Sequence, residues 1–173
     1  MNLVERHGIS AGAISAIDLA LPGANAAMVN RPTTPRLRAA TLGSGQYVMA
    51  VTALRGMIDL QSFEEDFLNS QEVHALMKKV TITSDSELGR HFPKYWSGRV
   101  TIKMTDGQTY SEQILAPKGE PENPMTEEDV EEKFRSLARP VLGEEKTATA
   151  LRTMASLDGN DSVRPLLTAL SLR

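Results

Sequence analysis

RVTIKMTDGQTYSEQIL, residues 99–115, is the stretch that decides the fold. Apolar and polar residues alternate before the central Asp106-Gly107, and this alternation is typical of a strand with one buried face. The Asp-Gly pair favours a two-residue turn of type I′, because both residues tolerate positive φ. The stretch therefore predicts a β-hairpin. The buried side of its first strand is predicted to consist of Val100, Ile102 and Met104.

Two further strands precede the hairpin in the sequence. Residues 14–21 place Ile17, Leu19 and Leu21 at alternating positions, and residues 80–83 also alternate. Residues 22–45 are rich in Pro, Gly, Asn and Arg, which predicts a long loop.

A buried helix is predicted after this loop, between a Ser44 cap and a Gly56 stop. The Ser62-x-x-Glu65 spacing is that of a capping box and predicts a short helix over 63–68. Another helix is predicted over residues 71–79, where apolar residues recur at helical spacing.

The C-terminal third of the chain reads as helical. The proline-rich segment 117–125 is predicted to be a rigid connector, because its three prolines restrict φ. Thr126 is predicted to cap a helix that ends at Pro140, and helices at 144–157 and 162–172 are predicted to follow, separated by residues 158–161. The first of these helices has a predicted apolar stripe of Val130, Phe134 and Leu137. The predicted buried stripes of the next two comprise Leu151, Met154, Leu157, Val163, Leu166, Leu167 and Leu170.

About four strands and five or six helices, without a βαβ alternation, indicate the α+β class. The predicted architecture is an antiparallel sheet with helices packed on it, followed by C-terminal helices. We expect an α+β domain over residues 1–140 and C-terminal helices over 141–173.

Composition narrows the function classes. The 173 residues are enough for one domain with a real core, and 40% of them are hydrophobic. A net charge of −3 gives no basic footprint for nucleic acid or an anionic membrane. The absence of cysteine excludes a disulfide framework and a thiol nucleophile. The N-terminus lacks the apolar core of a signal peptide, so the expectation is a cytoplasmic protein.

No motif in the sequence by itself indicates a catalytic or a metal-binding site. His7, His74 and His91 do not have the spacing of metal ligands, so no metal and no cofactor are expected. The Gly43-Ser44-Gly45 string before a helix could present amides to an anion, or it could be a structural turn. The acidic residues 127–132 are typical of a solvated helix face, with a metal or a basic partner as the alternative.

An ordered set of segments resembles the C-terminal portion of the MmgE/PrpD family. The set comprises Arg31-Pro-Thr-Thr34, the Ser44-x-Gln-Tyr-x-x-Ala50 helix, Leu54-Arg-Gly56, Val73-His-Ala-Leu-Met77, the Val100–Gly107 strand, Pro117-Lys-Gly-x-Pro-Glu-Asn-Pro-Met125 and Lys133-Phe134. The family includes 2-methylcitrate dehydratase, cis-aconitate decarboxylase and iminodisuccinate epimerase. The resemblance covers nearly the whole chain.

The resemblance implies part of a two-domain enzyme. Its members pair a large helical domain with a smaller α+β lid, and small di- or tricarboxylates react in the cleft between them by elimination, decarboxylation or epimerisation. The chain resembles only the lid and the final helices. The expected partners are a small carboxylate, once a helical domain completes the site, and either a second copy or a separate chain that carries that helical domain.

The resemblance also supplies candidate site residues. Tyr47 stands where related enzymes place an active-site tyrosine, so a phenol donating to a substrate oxygen is implied; the alternative is a tyrosine packed against the sheet. Substrate-binding candidates are Arg31, Arg36, Arg38, Ser44 and Gln46. Arginines bind carboxylates well, although an exposed loop arginine is the simpler explanation of each.

Two hypotheses remain open from the sequence. In the first, the chain is the lid of a lyase or isomerase of this family and has little activity alone. In the second, it is a stand-alone module that retains the fold and binds a partner or itself. Apolar residues on the last helices, Leu151, Met154, Leu166 and Leu170, are expected either to mediate self-association or to pack on the sheet.

Overall fold

The computed structural model describes residues 3–32, 34, 37–157 and 162–171. The chain divides into two compact units, Met1–Pro117 and Lys118–Arg173. The first unit carries a sheet of four strands within the described residues: β1 Ile14–Leu21, β2 Val80–Ser84, β3 Gly98–Met104 and β4 Thr109–Ile114. The strands lie in the order β2-β1-β3-β4.

The α+β class predicted from the sequence is confirmed, with one difference in the sheet. β1 pairs antiparallel with β3, and β3 with β4, but β1 and β2 are parallel, from Ile17 opposite Val80 to Leu21 opposite Ser84. The sheet is therefore mixed. The physical reason is the helical segment between β1 and β2, which is long enough to return the chain to the start of the sheet.

Helices of the first unit fill the crossover between β1 and β2 and flank it. Their bounds are α1 Leu3–His7, α2 Gly23–Val29, α3 Arg38–Thr41, α4 Gly45–Arg55, α5 Glu65–Leu68, α6 Gln71–Met77 and α7 Ser86–Gly89. The prediction of a loop over residues 22–45 is wrong for α2 and α3. Three alanines in α2 supply helix propensity that the Pro and Asn at its ends obscured.

The β3–β4 hairpin is confirmed, but its turn is not type I′. Gly107 has φ +89°, whereas no residue other than glycine has positive φ among those described, so Asp106 cannot adopt the I′ conformation. The amide of Met104 donates to Gln108 O at 2.8 Å and leaves a three-residue loop over 105–107. Such loops place a glycine at their left-handed position, and Gly107 serves that purpose.

The predicted helix between Ser44 and Gly56 is confirmed as α4. Ser44 Oγ accepts a hydrogen bond from Tyr47 N, and Gly56 ends the helix in the left-handed region at φ +77°. The helix contacts β2 and α6. A Cβ at Gly45 would lie only 3.0 Å from the Ile82 side chain, so glycine permits this close approach. α4 is thus the central helix of the unit.

The predicted capping box at Ser62 and Glu65 is wrong. Ser62 lies in a 3₁₀ turn over Gln61–Phe63, and α5 begins after Glu64 without a side-chain cap. The Ser62 hydroxyl instead donates to Asp59 Oδ1 at 2.8 Å, and Asp59 also binds Arg55 at 2.7 Å. Ser62 is completely buried, and the burial favours this network over a solvent-exposed cap.

The second unit contains α8 Glu127–Leu142, α9 Glu144–Ala155 and α10 Arg164–Ala169. The Thr126 cap is confirmed, and Asp129 completes a capping box with it. Pro140 does not end α8 as predicted, because the helix continues to Leu142 with Pro140 in its last turn. The predicted linker over 158–161 lies outside the described residues, and the division after residue 140 stays a prediction about a complete enzyme.

Little of the second unit is buried. Its buried residues are Thr147, Ala150 and Ala169, among those described. Leu151, Met154 and Leu166, which were predicted to be buried, are half-buried. The prediction of burial is wrong for Val163, Leu167 and Leu170, which are 59%, 62% and 38% exposed. These three helices therefore present apolar side chains to their surroundings.

Asp129 is the group whose charge most clearly supports the start of α8. The Lys118 ammonium and the Thr126 amide and hydroxyl all bond to its carboxylate, and they lower its pKa from 3.8 to about 2. Since the pKa in the folded state lies below the unfolded value, this stabilisation is present above about pH 4. It is lost as pH falls toward 2.

We expect the Asp129 carboxyl to titrate near pH 2 in an NMR titration. The Asp129→Asn variant should lose the part of the acid-induced decrease in helical circular dichroism that falls between pH 4 and pH 2. Glu128→Gln, on the exposed side of the same turn, is the matched control and should leave that decrease unchanged. A midpoint at or above 3.8 for Asp129 would contradict the assignment.

Candidate functional site

Hydrogen bonds at the start of α4 join four of the sequence-predicted site residues: Arg31, Ser44, Gln46 and the backbone of Tyr47. Ser44 caps the helix by accepting from Tyr47 N at 3.2 Å, and its hydroxyl donates to Arg31 O at 3.0 Å. Gln46 accepts from Arg31 N at 2.9 Å through Oε1 and donates to Asn30 Oδ1 at 2.6 Å. The segment that follows α2 is therefore fixed to the start of α4.

The side chains of Ser44 and Gln46 link the start of α4 to Asn30 and Arg31 through hydrogen bonds. Both are buried, at 1% and 2% exposure, and each makes two of the hydrogen bonds just described. Buried polar side chains of this kind need all of their partners, because an unsatisfied group costs about 1–3 kcal/mol. Neither side chain is presented to a ligand in this unit, and their effect is to fix the position of Arg31.

Arg31 is the charged group that this arrangement presents to solvent. Its side chain is exposed and lies over Gly43, where a Cβ would be 3.6 Å from Nε. No ion pair of this guanidinium occurs among the residues that the structure describes. The N-terminal end of a helix carries a partial positive charge. The exposed Arg31 guanidinium, which lies beside Gly43 next to the capped start of α4, is chemically able to bind a carboxylate.

Tyr47 follows Gln46 in α4, and its side chain lies in the interior of the first unit. The side chain is fully buried, its hydroxyl donates to Ser62 O at 2.6 Å, and its ring lies 6.3 Å from the ring of Phe63. Burial raises the pKa of the Tyr47 phenol above its ordinary value. The phenol is therefore protonated at neutral pH, and its proton is directed at a backbone carbonyl.

The other two candidate arginines are not joined to this site by a described contact. Arg38 forms an exposed ion pair with Glu64 at 3.4 Å. Arg36 lies outside the described residues. Arg38 is therefore a useful comparison for Arg31, since both belong to the same connecting segment between α2 and α4 but only Arg31 is fixed to the α4 cap.

A hydrogen-bonded network of Arg55, Asp59 and Ser62, which the sequence did not predict, lies beside Tyr47. Arg55 forms the main hydrogen bond that lowers the pKa of Asp59, with Ser62 adding to the effect. The Arg55 guanidinium also lies 4.8 Å from the centroid of the Phe67 ring. The Arg-x-x-x-Asp spacing could have indicated the ion pair, although nothing local marked Ser62 as its third member. The network holds in place Ser62, whose carbonyl accepts the hydrogen bond from the Tyr47 hydroxyl.

The three histidines lie at separate places in the first unit. His7 stacks on Tyr110 with ring centroids 4.5 Å apart, and His91 packs edge-on against Tyr95. A ring nitrogen of His74 lies 2.6 Å from Leu68 O. Within the described ranges, no group of three His, Asp or Glu side chains is arranged to hold a metal ion. None of the described helices has the length and apolar character that crossing a bilayer requires.

Comparison with known proteins gives consistent matches. A family model described as the MmgE/PrpD C-terminal domain matches residues 1–158. A cis-aconitate decarboxylase-like protein of Aspergillus oryzae is 30% identical over 142 residues, which cover 79% of this chain and 29% of that protein.

Two other relatives extend this pattern. Human cis-aconitate decarboxylase is 27% identical over 97% of the chain and 34% of its own length. An alkylcitrate dehydratase of a fungal species is 31% identical over 76% of the chain and 28% of its own length. The chain thus spans about a third or less of the curated relatives that it matches.

The buried hydrogen bond of Tyr47 yields a stability prediction. Tyr47→Phe keeps the ring but leaves Ser62 O without its phenolic donor, and we expect a loss of about 1–2 kcal/mol in the free energy of unfolding. The measurement is urea denaturation followed by circular dichroism. Tyr95→Phe, which removes a hydroxyl from a half-buried ring, is the control and should stay within about 0.5 kcal/mol of wild type. Equal stability of the two variants would show that the bond to Ser62 contributes nothing.

Proposed function

The chain belongs to the MmgE/PrpD family, and we propose that it supplies the lid-like C-terminal portion of an enzyme acting on small di- or tricarboxylates. The observation that carries the proposal is the family match over residues 1–158, together with relatives named for cis-aconitate and alkylcitrate chemistry. Elimination or decarboxylation beside a carboxylate is the proposed reaction class. In this proposal the activity is that of a complete enzyme. The relatives are about three times as long as this chain.

In this proposal Arg31 binds a carboxylate of the substrate. Its guanidinium is exposed, its backbone is held by Ser44 and Gln46, and the adjacent end of α4 adds a favourable dipole. A guanidinium can bind both oxygens of one carboxylate, so it can fix the orientation of the substrate as well as attract it. Arg36 and Arg38 act in the same proposal as neighbouring charges that raise the local concentration of anions.

Tyr47 has two roles available to it within the proposal. The described contacts support a positioning role, in which its hydroxyl holds Ser62 O and thereby the turn beside α4. A direct role as hydrogen-bond donor requires the hydroxyl to exchange Ser62 O for a substrate oxygen when the enzyme is complete. The raised pKa of the phenol suits a donor rather than a base.

We propose that residues of a helical domain outside this chain carry out most of the proton transfer. General acid–base groups must lie within hydrogen-bond reach of the substrate. The described contacts of the histidines are with Tyr110, Leu68 and Tyr95, and none of these contacts involves an α4 cap residue. We therefore propose that the chain has little activity alone and that a helical domain supplies the missing groups.

The alternative proposal is a module that associates with itself or with a separate chain. Exposed apolar side chains of the second unit favour it: Val130, Val141, Val163 and Leu167 are each more than half exposed. Surfaces of this kind on a monomer are usually covered by a partner. This association is compatible with the enzymatic proposal, because a helical domain is one such partner.

The catalytic proposal is tested with the chain fused to, or co-expressed with, the helical domain of a family member from the same genome. We expect Arg31→Ala to lower kcat/KM for a tricarboxylate such as cis-aconitate about 10–100-fold, because a charge-assisted hydrogen bond contributes about 1.5–3 kcal/mol. Arg38→Ala is the matched control and should change kcat/KM less than about threefold. Equal losses in both variants would remove Arg31 from the site.

Self-association is tested by light scattering of the isolated chain over a dilution series. We expect a mass above that of one chain, decreasing on dilution. Leu167→Glu should shift the chain toward monomer by placing a charge in the apolar surface, whereas Ser162→Glu, at a neighbouring exposed position, should not. A monomer at every concentration would contradict the association proposal.

A further inference from the structure

Tyr47 is held at two points by hydrogen bonds. Its backbone N–H donates to Ser44 Oγ at 3.2 Å, at the start of α4. Its hydroxyl donates to Ser62 O at 2.6 Å, and its ring lies 6.3 Å from the ring of Phe63. A hydroxyl hydrogen bond requires the O–H group to point at its acceptor. The position of Ser62 O therefore sets the position and the direction of the Tyr47 hydroxyl.

Ser62 O belongs to an irregular segment between α4 and α5, the turn of residues 59–63. The last three residues of this turn form the 3₁₀ helix Gln61–Phe63. Hydrogen bonds in a 3₁₀ helix have poorer geometry than those in an α-helix, and such helices are short. Side-chain hydrogen bonds are therefore needed to fix the 59–63 turn in one conformation.

Asp59 supplies these hydrogen bonds through its carboxylate. Asp59 Oδ1 accepts from the Ser62 amide at 2.9 Å, from the Ser62 hydroxyl at 2.8 Å and from Arg55 Nη1 at 2.7 Å. Arg55 Nη2 donates to Asp59 Oδ2 at 3.1 Å, so the ion pair is bidentate. The Ser62 hydroxyl also accepts from Arg55 Nη1 at 2.9 Å and from the Asp59 amide at 3.1 Å. Ser62 is thus held by both its amide and its hydroxyl.

Arg55 connects the 59–63 turn to the helix that carries Tyr47. It is the last residue of α4, and Tyr47 lies in the first turn of the same helix. The hydrogen bonds therefore close a ring that runs from Tyr47 to Ser62, from Ser62 to Arg55, and back along α4. Tyr47 and Ser62 are completely buried, so water does not compete for these bonds.

We propose that Asp59 is a positioning residue for Tyr47: with Arg55 it holds Ser62 O, and it thereby fixes the place from which the phenol presents its proton. The inference rests on the proposed function, in its version where the Tyr47 hydroxyl exchanges Ser62 O for a substrate oxygen. Asp59 acts through Ser62 and has no contact of its own with the substrate in this proposal. A misplacement of about 1 Å in a catalytic site can lower a rate about 100-fold, so a residue of this kind affects turnover.

The hydroxyl proton of Tyr47 reports its position directly, and proton NMR of the isolated chain measures its exchange with water. Its resonance is assigned by its absence from Tyr47→Phe. We expect slow exchange in the wild type, because the hydroxyl is buried and hydrogen-bonded. Asp59→Ala should accelerate the exchange about tenfold or more, since Ser62 O loses its support.

Asp85 provides the matched control for Asp59. It also accepts from two backbone amides, those of Glu87 and Leu88, and it also pairs with an arginine, Arg99. Asp85→Ala should leave the exchange of the Tyr47 hydroxyl within about twofold of wild type. If Asp59→Ala fails to fold, Asp59→Asn, which removes the ion pair but keeps an acceptor for Ser62, should accelerate the exchange about threefold or more, and Asp85→Asn should not.

Turnover by the chain combined with a helical domain gives the second readout. Asp59→Asn should lower kcat for cis-aconitate about tenfold and leave KM within about twofold, because a hydrogen bond that forms in the transition state contributes to kcat. Asp85→Asn should change neither constant. A substitution that only lowered the stability of the first unit would not separate kcat from KM in this way.

Several results would overturn the inference. Hydroxyl exchange that is unchanged in the Asp59 variants, or equally accelerated in the Asp85 variants, would show that Asp59 does not position Tyr47. A kcat that is unchanged in Asp59→Asn, or equally lowered in Asp85→Asn, would show that the position of the phenol does not matter to the reaction. If the wild-type combination does not turn over cis-aconitate, the proposed function fails, and hydroxyl exchange still decides whether Asp59 positions Tyr47.

Discussion

Burial of α4 against β2 and α6 is the constraint on which the first unit depends. Tyr47, Ala50 and Val51 of this helix are completely inaccessible to solvent, so its side chains must be apolar or fully hydrogen-bonded. The approach is close, since a Cβ at Gly45 would lie 3.0 Å from the Ile82 side chain and 3.3 Å from the Val29 carbonyl, so a larger residue there would require these neighbours to shift.

The same constraint explains why polar candidates near α4 divide into two groups. The side chains of Ser44 and Gln46 are buried and form hydrogen bonds with Asn30 and Arg31, whereas the Arg31 side chain is exposed to solvent. Tyr47 follows the buried group, because its ring fills the core and its hydroxyl binds Ser62 O. One helix therefore sets the position of both a cation and a phenol.

The second unit depends on a different balance. Its three helices bury few side chains, so hydrophobic burial within the unit stabilises it little. The Thr126–Asp129 capping box and the Lys118 ion pair fix the start of α8, and Glu131 pairs with Arg135 one turn later. Local contacts of this kind define helices but do not create a core. Several apolar side chains of the unit therefore stay exposed among the described residues, Val130, Val141, Val163 and Leu167 among them.

The sequence by itself determined the features that rest on neighbouring residues: alternation predicted β1 and the hairpin, and the Ser44 and Gly56 signals predicted α4. Only the tertiary structure decided the parallel pairing of β1 with β2, because residues 22–79 separate the two strands and no local pattern encodes their direction. Ser62 shows the same limit, since its spacing suits a capping box while burial beside Asp59 and Arg55 gives it a better use. The resemblance to the family indicated Tyr47 and Arg31 as candidates, but it did not indicate that Tyr47 is buried and Arg31 exposed. That difference follows from the packing of α4, which depends on contacts between residues distant in sequence.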